Sequence, residues 1–589
     1  MTTPLEEYAM IGDGETVALI SRQGSIDWLC LPRFDSPACC AAILGMGEHG
    51  RWSIAPEGEV ERTAHHYQPG TLILETELTA PEGTIRLTDF MPIRDANPCL
   101  VRMVTGVSGG VPTCLELAPR FDYGHMPPWV TRVGDGVVMH VGPDQIVLRG
   151  PVDFENDGGT IRSRFRIKEG ETHVFTLTYE ASHKPSPQPI DVDAALVKTQ
   201  CYWREWIERF NQPVEHAEAV RRSLLTLKAL IHRPTGGLVA APTTSLPEQP
   251  GGLMNWDYRY CWLRDATFTL SALIDCGYVE EAAAWREWIL RATAGEPEKL
   301  QIMYRVDGSR RLDEAQLPWL PGYRFARPVR VGNAAAGQLQ LDVYGELIRT
   351  LHAAERAGMA RNEQTRHLER AIVEHVEQIW IKPDQGLWES RGEPRHYTYS
   401  KVMAWVALHR FLDGKGGEEI PFAERTRLES SRDHLHAVIC REGFDVGLGS
   451  FTSYFGGREV DASLLLLPAV GFLPADDERV AGTIALIEKT LVVDGLVRRH
   501  LMDSLVPEGA FIACSFWLAE CQLRQRRRAD AVETIGRALA IRSELGLLSE
   551  EYDLASRRLA GNYPQALSHL ALIHALLALA KFDRGGQGR

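Results

Sequence analysis

Three stretches of the 589-residue chain gather side chains that could work on a polar, uncharged ring. NWDYRYCWLRDA (255–266) packs two Trp, two Tyr, two Arg and two Asp into twelve residues. Aromatic faces cover the C–H faces of a sugar, while Arg and Asp bond its hydroxyls, each of which needs a partner once buried. The same composition also suits an aromatic core plug laced with salt bridges. DQGLWESRGEPRHYTYSK (384–401) and GLLSEEYD (546–553) each set Glu beside aromatics. Two carboxyls opposed across a sugar-sized cleft meet the requirement of glycoside hydrolysis: one protonates the departing oxygen and the other takes a proton from the attacking water. His396 is either a substrate contact or a structural histidine. No GxSxG nucleophile elbow is read and no HExxH pair is present, and GDG at 12–14 is too sparse for a phosphate loop.

For those acids to meet, the chain must bring distant loops to one place. From residue 214 the apolar period is 3.6, and twelve helices are predicted: 214–232, 264–276, 278–293, 334–357, 361–381, 398–413, 422–440, 461–470, 476–490, 510–527, 529–545 and 563–582. Short links (277, 358–360, 414–421, 471–475, 528) alternate with long ones (233–263, 294–333, 382–397, 441–460, 491–509, 546–562). Short links make antiparallel hairpins, so the long loops collect at one end of a closed bundle. Six inner and six outer helices are expected, an (α/α)6 barrel. In such a ring the 384–401 and 546–553 loops lie three hairpins apart and face one another. A solenoid of helix pairs is the alternative, but no fixed repeat is visible.

Residues 1–195 read differently. Alternating stretches at 71–78, 84–91, 100–107, 136–142, 145–151, 160–167 and 172–180 are punctuated by Gly, Pro, Asn and Asp. They predict an antiparallel β-sandwich. A Pro-rich segment (182–193) leads out of it. The expected organisation is a sandwich over 1–195, a helical linker over 196–213 and the barrel over 214–585.

The net charge of −14 disfavours nucleic acid and anionic membranes as partners. No secretory leader and no unbroken apolar run of about 18 residues are seen. The eleven scattered cysteines form no CxxC pair. A cytoplasmic setting with thiols used for packing is expected.

The chain resembles glycoside hydrolase family 15, the glucoamylases and their bacterial trehalase-like relatives, over essentially its whole length. The resemblance rests on residues 11–37, VAAPTTSLPE (239–248), 255–270, 327–346 and 394–408. It implies a double ring of six helix pairs preceded by a sandwich. The family's Leu-Trp-Glu motif for the general acid is matched by Leu387-Trp388-Glu389. Its Ser-Glu-Gln-Tyr-Asp motif for the general base is matched by residues 549–553, which implies Glu550, with Glu551 where the fungal proteins have Gln. The implied substrate-binding residues are Tyr258, Trp262, Arg264, Asp265, Arg330, Trp388 and Arg499.

The resemblance implies an inverting, exo-acting α-glucosidase on trehalose or a maltose- or isomaltose-type sugar, with carboxyls roughly 6.5–9.5 Å apart. It implies neither metal nor organic cofactor, a small carbohydrate as the partner, and is compatible with a homo-oligomer. An inverting disaccharide phosphorylase and a silent glycan-binding protein are the alternatives. Trp28 and Asp35, in the Trp- and Pro-rich segment 24–37, are expected to form a wall of the pocket.

Overall fold

A computed structural model describes residues 2–134, 136–501 and 508–586. The N-terminal part is an antiparallel sandwich organised by one twenty-residue strand, Cys99–Ala118. Its first half pairs with Gly83–Phe90 and Thr172–Ala181, and its second half with Arg51–Pro56 and Thr160–Lys168. One strand thus serves both sheets. The crossover is a glycine-rich bend: a Cβ on Gly106 or on Gly109 (φ 70°) would lie 2.1 Å from a facing carbonyl oxygen.

All seven predicted stretches are strands. The strands Tyr8–Gly12, Val17–Ser21, Ser25–Cys30, Arg51–Pro56 and Arg62–Tyr67 escaped the reading. The first two are buried at every position and the third at all but one, so they lack the polar alternation of a half-solvated sheet. Arg102 is fully buried in this sheet, bonded to Asp89 and to the carbonyls of Trp52 and Gly24.

Helix α1 (Val192–Glu208) follows, beginning inside the span expected for the sandwich. Asp191 caps it, its side chain accepting from the Ala194 amide. Then come α2 (Ala217–Leu230), α3 (Ala266–Asp275), α4 (Val279–Ala292), α5 (Asp342–Arg356), α6 (Glu363–Ile379), α7 (Thr398–Asp413) and α8 (Phe422–Glu442). The short α9 (Leu467–Val470) extends a 3-10 turn (Ala462–Leu466). After it come α10 (Glu478–Thr490), α11 (Ile512–Arg524), α12 (Arg528–Ala540) and α13 (Ala566–Gly586).

Helix α3 packs on α5, α5 on α7, α7 on α9 and its 3-10 turn, that turn on α11, α11 on α13, and α13 back on α3. This closes an inner ring of six. Each inner helix also packs on an outer partner: α4, α6, α8, α10 and α12 in turn, with α2 behind α13. Burial follows from position. In α7 every residue from Thr398 to Leu408 is buried, whereas α8 buries only Leu428, Leu435 and Ile439.

Helix α13 is long and apolar enough to cross a membrane by length and composition alone. Its apolar surface is spent inside the ring, against α2, α3 and α11. Ser568, His569 and His574 break the unbroken apolar run that the sequence reading required.

The sandwich and the barrel are joined by polar contacts around one buried ion pair. Arg259 is 1% exposed and bonds Asp257 at 2.6 Å. Its remaining donors reach the sandwich, at Ser36 O and Tyr123 Oη, both at 2.8 Å. Arg259→Met leaves the Asp257 carboxylate buried without its cation. It is expected to destabilise the protein by about 3–5 kcal/mol, seen as a lower urea midpoint. A midpoint equal to that of the parent protein would show that the joint carries no such weight.

Candidate active site

The long loops meet over one end of the inner ring and enclose a cavity of about 570 Å³. Tyr258 and Arg264 come from the α2–α3 loop, Arg330 from α4–α5, and Trp388 and Glu389 from α6–α7. Tyr454 and Asp461 come from α8–α9, and Arg499 and Phe511 from α10–α11. Glu550 is on the sixth loop, α12–α13. It is 1% exposed and approaches the cavity from behind Tyr258, whose hydroxyl donates to its Oε1 at 2.5 Å.

Glu389 is the counterpart. Trp262 Nε1 donates to its Oε1 at 2.6 Å, and Arg264 Nη1 lies 3.2 Å from the same oxygen. The Tyr258 and Trp262 rings meet edge to face at 5.1 Å, so each of two touching aromatics holds one of the two carboxylates. Arg264 is set in turn by Asp265, which accepts from its Nε at 2.9 Å. Trp262 and Asp265 are buried and lie behind the lining.

Local backbone aims both acids. Glu389 has φ 56°, the left-handed region that an L-residue enters at a cost of about 1–2 kcal/mol. Its amide bonds Gly386 O, and Gln338 Nε2 donates to the carbonyls of Glu389 and Ser390. Glu550 lies against Gly561 (φ 74°): a Cβ there would sit 2.7 Å from Glu550 Oε2.

Burial pushes the Glu389 carboxyl above its ordinary value, while Arg264 pulls it down. Burial and the nearby charge of Glu248 push Glu550 up to about 8. Glu248 lines the cavity and is itself pushed up to about 7 by burial, against the pull of Arg499.

Arg499 is the hub of a second buried group. It bonds Glu248 and Glu508, and its Nη2 lies 3.6 Å from Glu551 Oε1. Glu248, Glu508 and Glu551 bring carboxylate oxygens within 4.8 Å of one another, a spacing that could hold a cation. The guanidinium of Arg499 already supplies that charge. One cation among three carboxylates leaves a surplus, and burial with the neighbouring Glu508 pushes Glu551 well above its ordinary value. A proton on Glu551 would relieve that surplus, and a Gln at this position would carry no charge at all.

One expectation about the site is corrected. Segment 24–37 does not line the cavity. Asp35 is tied up by Arg33 and Arg305, and Trp28 Nε1 donates to Pro242 O, so both residues brace the sandwich against the barrel. His396 also stays outside, stacked on Phe455 at 6.2 Å.

Glu248, Trp256 and Glu508 were missed. Trp256 carries two guanidiniums, Arg330 at 4.4 Å and Arg391 at 4.5 Å. Its place in the aromatic run 255–266 was the available signal. Glu248 ends the VAAPTTSLPE stretch, where Ser245 (φ 58°) turns the chain inward.

The family model for glycosyl hydrolases family 15 matches residues 214–536, more than half of the chain, and one for the trehalase-like N-terminal domain matches 1–186. The chain belongs to glycosyl hydrolase family 15. It is a glycoside hydrolase of the trehalase and glucoamylase-like kind. It is 38% identical to a trehalase of Mycobacterium tuberculosis, over 98% of this chain and 90% of that one. It is 33% identical to a trehalase of Thermoplasma volcanium, over 97% and 92%. A bacterial glucoamylase complexed with acarbose shares the fold at TM-score 0.73 and 12% identity, over 99% of this chain and 94% of that one.

The state of Glu551 has a consequence for stability. A carboxyl raised in the folded state stabilises the fold fully below the unfolded value, and that contribution is lost as pH rises through the folded one. In Glu551→Gln this loss is removed. Its melting temperature is expected to fall less steeply than that of the parent between pH 6 and pH 9. Parallel curves would show that Glu551 is ionised in the fold.

Proposed function

We propose that the chain hydrolyses a small α-glucoside from its non-reducing end with inversion, and that the substrate is trehalose. Glu389 is the general acid and Glu550 the general base. The observation that carries this reading is the aromatic pair: Trp262 holds Glu389 and Tyr258 holds Glu550, with Arg264 between Glu389 and Asp265.

The glycosidic oxygen takes its proton from Glu389 as the C1–O bond breaks. Glu550 removes a proton from water attacking C1 on the opposite face, giving β-glucose and the free leaving sugar. Tyr258 occupies Oε1 of Glu550, while Oε2 has no partner among the described residues and is the oxygen available to the water. Arg264, set by Asp265 behind it, bonds the hydroxyls of the cleaved glucose, and Trp388 packs on its C–H face. Trp256, with Arg330 and Arg391 stacked on it, borders the side of the leaving sugar.

A cavity of about 570 Å³ suits a disaccharide. The two trehalase relatives, aligned over nearly the whole of both chains, support trehalose over other α-glucosides. A 29% identical isomaltose glucohydrolase of Kribbella flavida aligns with only 48% of this chain. Eleven free cysteines support a cytoplasmic setting.

Purified protein is expected to release glucose from trehalose faster than from maltose or isomaltose, with α- and β-glucose appearing from trehalose in equal amounts by NMR before mutarotation, whereas α-glucose alone would mean retention. Formation of glucose 1-phosphate in phosphate buffer would overturn hydrolysis. Glu389→Gln and Glu550→Gln should each lower kcat by about 10²–10⁴-fold, whereas Glu551→Gln should keep most activity. A dead Glu551→Gln beside an active Glu550→Gln would exchange their roles.

Glu248 gives a separate test. Removing a negative charge beside Glu550 eases its ionisation. In Glu248→Gln the acidic limb of kcat/KM should therefore move down by about one pH unit. An unmoved limb would mean that Glu248 does not act on the base.

A further inference from the structure

A second cavity, of about 980 Å³, lies where the sandwich, the linker helix and the barrel meet. Its walls are the Tyr67–Gly70 turn, α1 with Arg204 and Glu208, α2 with Arg221 and Arg222, and the Arg542–Gly546 turn that follows α12. None of the family's catalytic motifs reaches it.

Its charges do not balance. Arg221 is paired with Glu218 at 3.0 Å, and Glu544 with Arg22 at 3.3 Å. Among the described residues Arg222 has no carboxylate partner. It stacks on Tyr67 at 4.1 Å and donates once, to Thr71 O at 3.2 Å. Arg542 donates only from Nε, to Leu539 O in its own turn, and Arg204 only to Pro69 O at 3.4 Å. Of the four guanidiniums that line the cavity, three, those of Arg204, Arg222 and Arg542, thus lack an ion-pair partner among the described residues and face a single unpaired carboxylate, Glu208, on its rim. Burial lowers the pKa of both Arg222 and Arg542, for Arg222 against the weaker opposing pull of Tyr67 and Glu218.

We propose that this cavity binds a phosphate group, held by Arg204, Arg222 and Arg542. Guanidinium forks match a tetrahedral, doubly charged oxyanion, with parallel N–H donors and full charge at any physiological pH. The volume exceeds the need of the bare ion and leaves room for the organic part of a small phosphate ester.

The site is mechanically joined to the loop that carries Glu550. The stem of Arg222 lies against Gly546 (φ 78°), where a Cβ would sit 2.9 Å from Arg222 Cγ. The turn closes through Gly546 N to Ser543 O and through Leu547 N to Ser543 Oγ. Leu548 N donates to His569 Nε2, and His569 Nδ1 bonds Ser223, the neighbour of Arg222. Burial and the charges of Arg542 and Arg222 push His569 down to about 3, so it stays neutral and keeps an acceptor for Leu548. An anion that fixes Arg222 and Arg542 therefore stiffens both ends of the chain leading to Glu550. This inference does not depend on the roles assigned to Glu389 and Glu550.

The test uses full-length protein in phosphate-free buffer. Inorganic phosphate and ribose 5-phosphate are each titrated against sodium chloride of equal ionic strength. Melting temperature and hydrogen exchange of the 543–548 amides are followed. Phosphate is expected to raise the melting temperature saturably by about 2–3 °C and to slow exchange in that turn. Arg542→Gln, which costs the apo protein only a bond to its own turn, should weaken binding by about tenfold or more. Arg204→Gln, at an exposed position, should weaken it in the same direction. Tighter binding of ribose 5-phosphate than of phosphate would assign the site to an ester, and the reverse order to the free ion. A response no greater than that to chloride would overturn the proposal, and so would unchanged binding in both variants. A rise in melting temperature without slowed exchange would overturn the coupling to the turn.

Discussion

The structure depends on keeping more carboxyl groups than cations in one dry place. Glu248, Glu389, Glu508, Glu550 and Glu551 are set around a single cavity, and Arg264 and Arg499 are the guanidiniums that bond them. Desolvation opposes every one of these charges, and each carboxylate opposes its neighbours. The surplus resolves into protons, and where they settle follows from the geometry. Glu508 lies against Arg499 and His500 and is held below its ordinary value, while Glu551 is pushed far above it. Glu389 and Glu550 lie between these extremes, each with one aromatic donor, which is the condition for exchanging protons during a reaction.

Such a cluster needs a frame that does not yield. A closed ring gives each inner helix neighbours on both sides and an outer helix behind it, so no loop end can move outward alone. The sandwich adds a second brace. Arg259 and Asp257 are buried between the aromatic lining and the sandwich, and Asp257 also accepts from the Gly332 amide beside Arg330. One ion pair thereby fixes two of the six long loops. The Trp28 and Asp35 contacts act in the same way from the other side. The N-terminal domain serves the site by holding its loops, and its residues need not face the cavity to do so.

What was legible in the sequence follows the same physics. Outer helices show an apolar stripe and inner helices an apolar run, so the alternation of short and long links was readable. Strands with one wet face alternate and were seen, while the doubly buried Tyr8–Gly12 and Val17–Ser21 carry no alternation and were not. Residues within dense motifs, such as Arg264 and Glu389, were found from composition and resemblance. Glu248 and Glu508 were not, because a lone Glu in a loop has the same local signature whether it is solvated or buried. Only the tertiary fold brings Arg499 to both of them. Segment 24–37 misled for a related reason: aromatic and acidic residues suit a domain joint as well as they suit a sugar site.

The backbone at Glu389 shows how far position outweighs local preference. A left-handed glutamate costs about 1–2 kcal/mol, and Gly would remove that cost. Gly386, three residues earlier, does take the left-handed form without strain (φ 71°), with Tyr397 packed against it. The chain therefore turns freely at Gly386 and under strain at Glu389, where the side chain must meet Trp262 and Arg264 at once. The strain is held by bonds from the ring loops: Gln338 grips the carbonyls of Glu389 and Ser390 from the α4–α5 loop, and Gln385 O takes the Ser390 amide. A strained conformation persists only where its surroundings over-determine it. Here the over-determination comes from two loops that the closed ring keeps at fixed separation, so the aim of the acid is a property of the whole barrel.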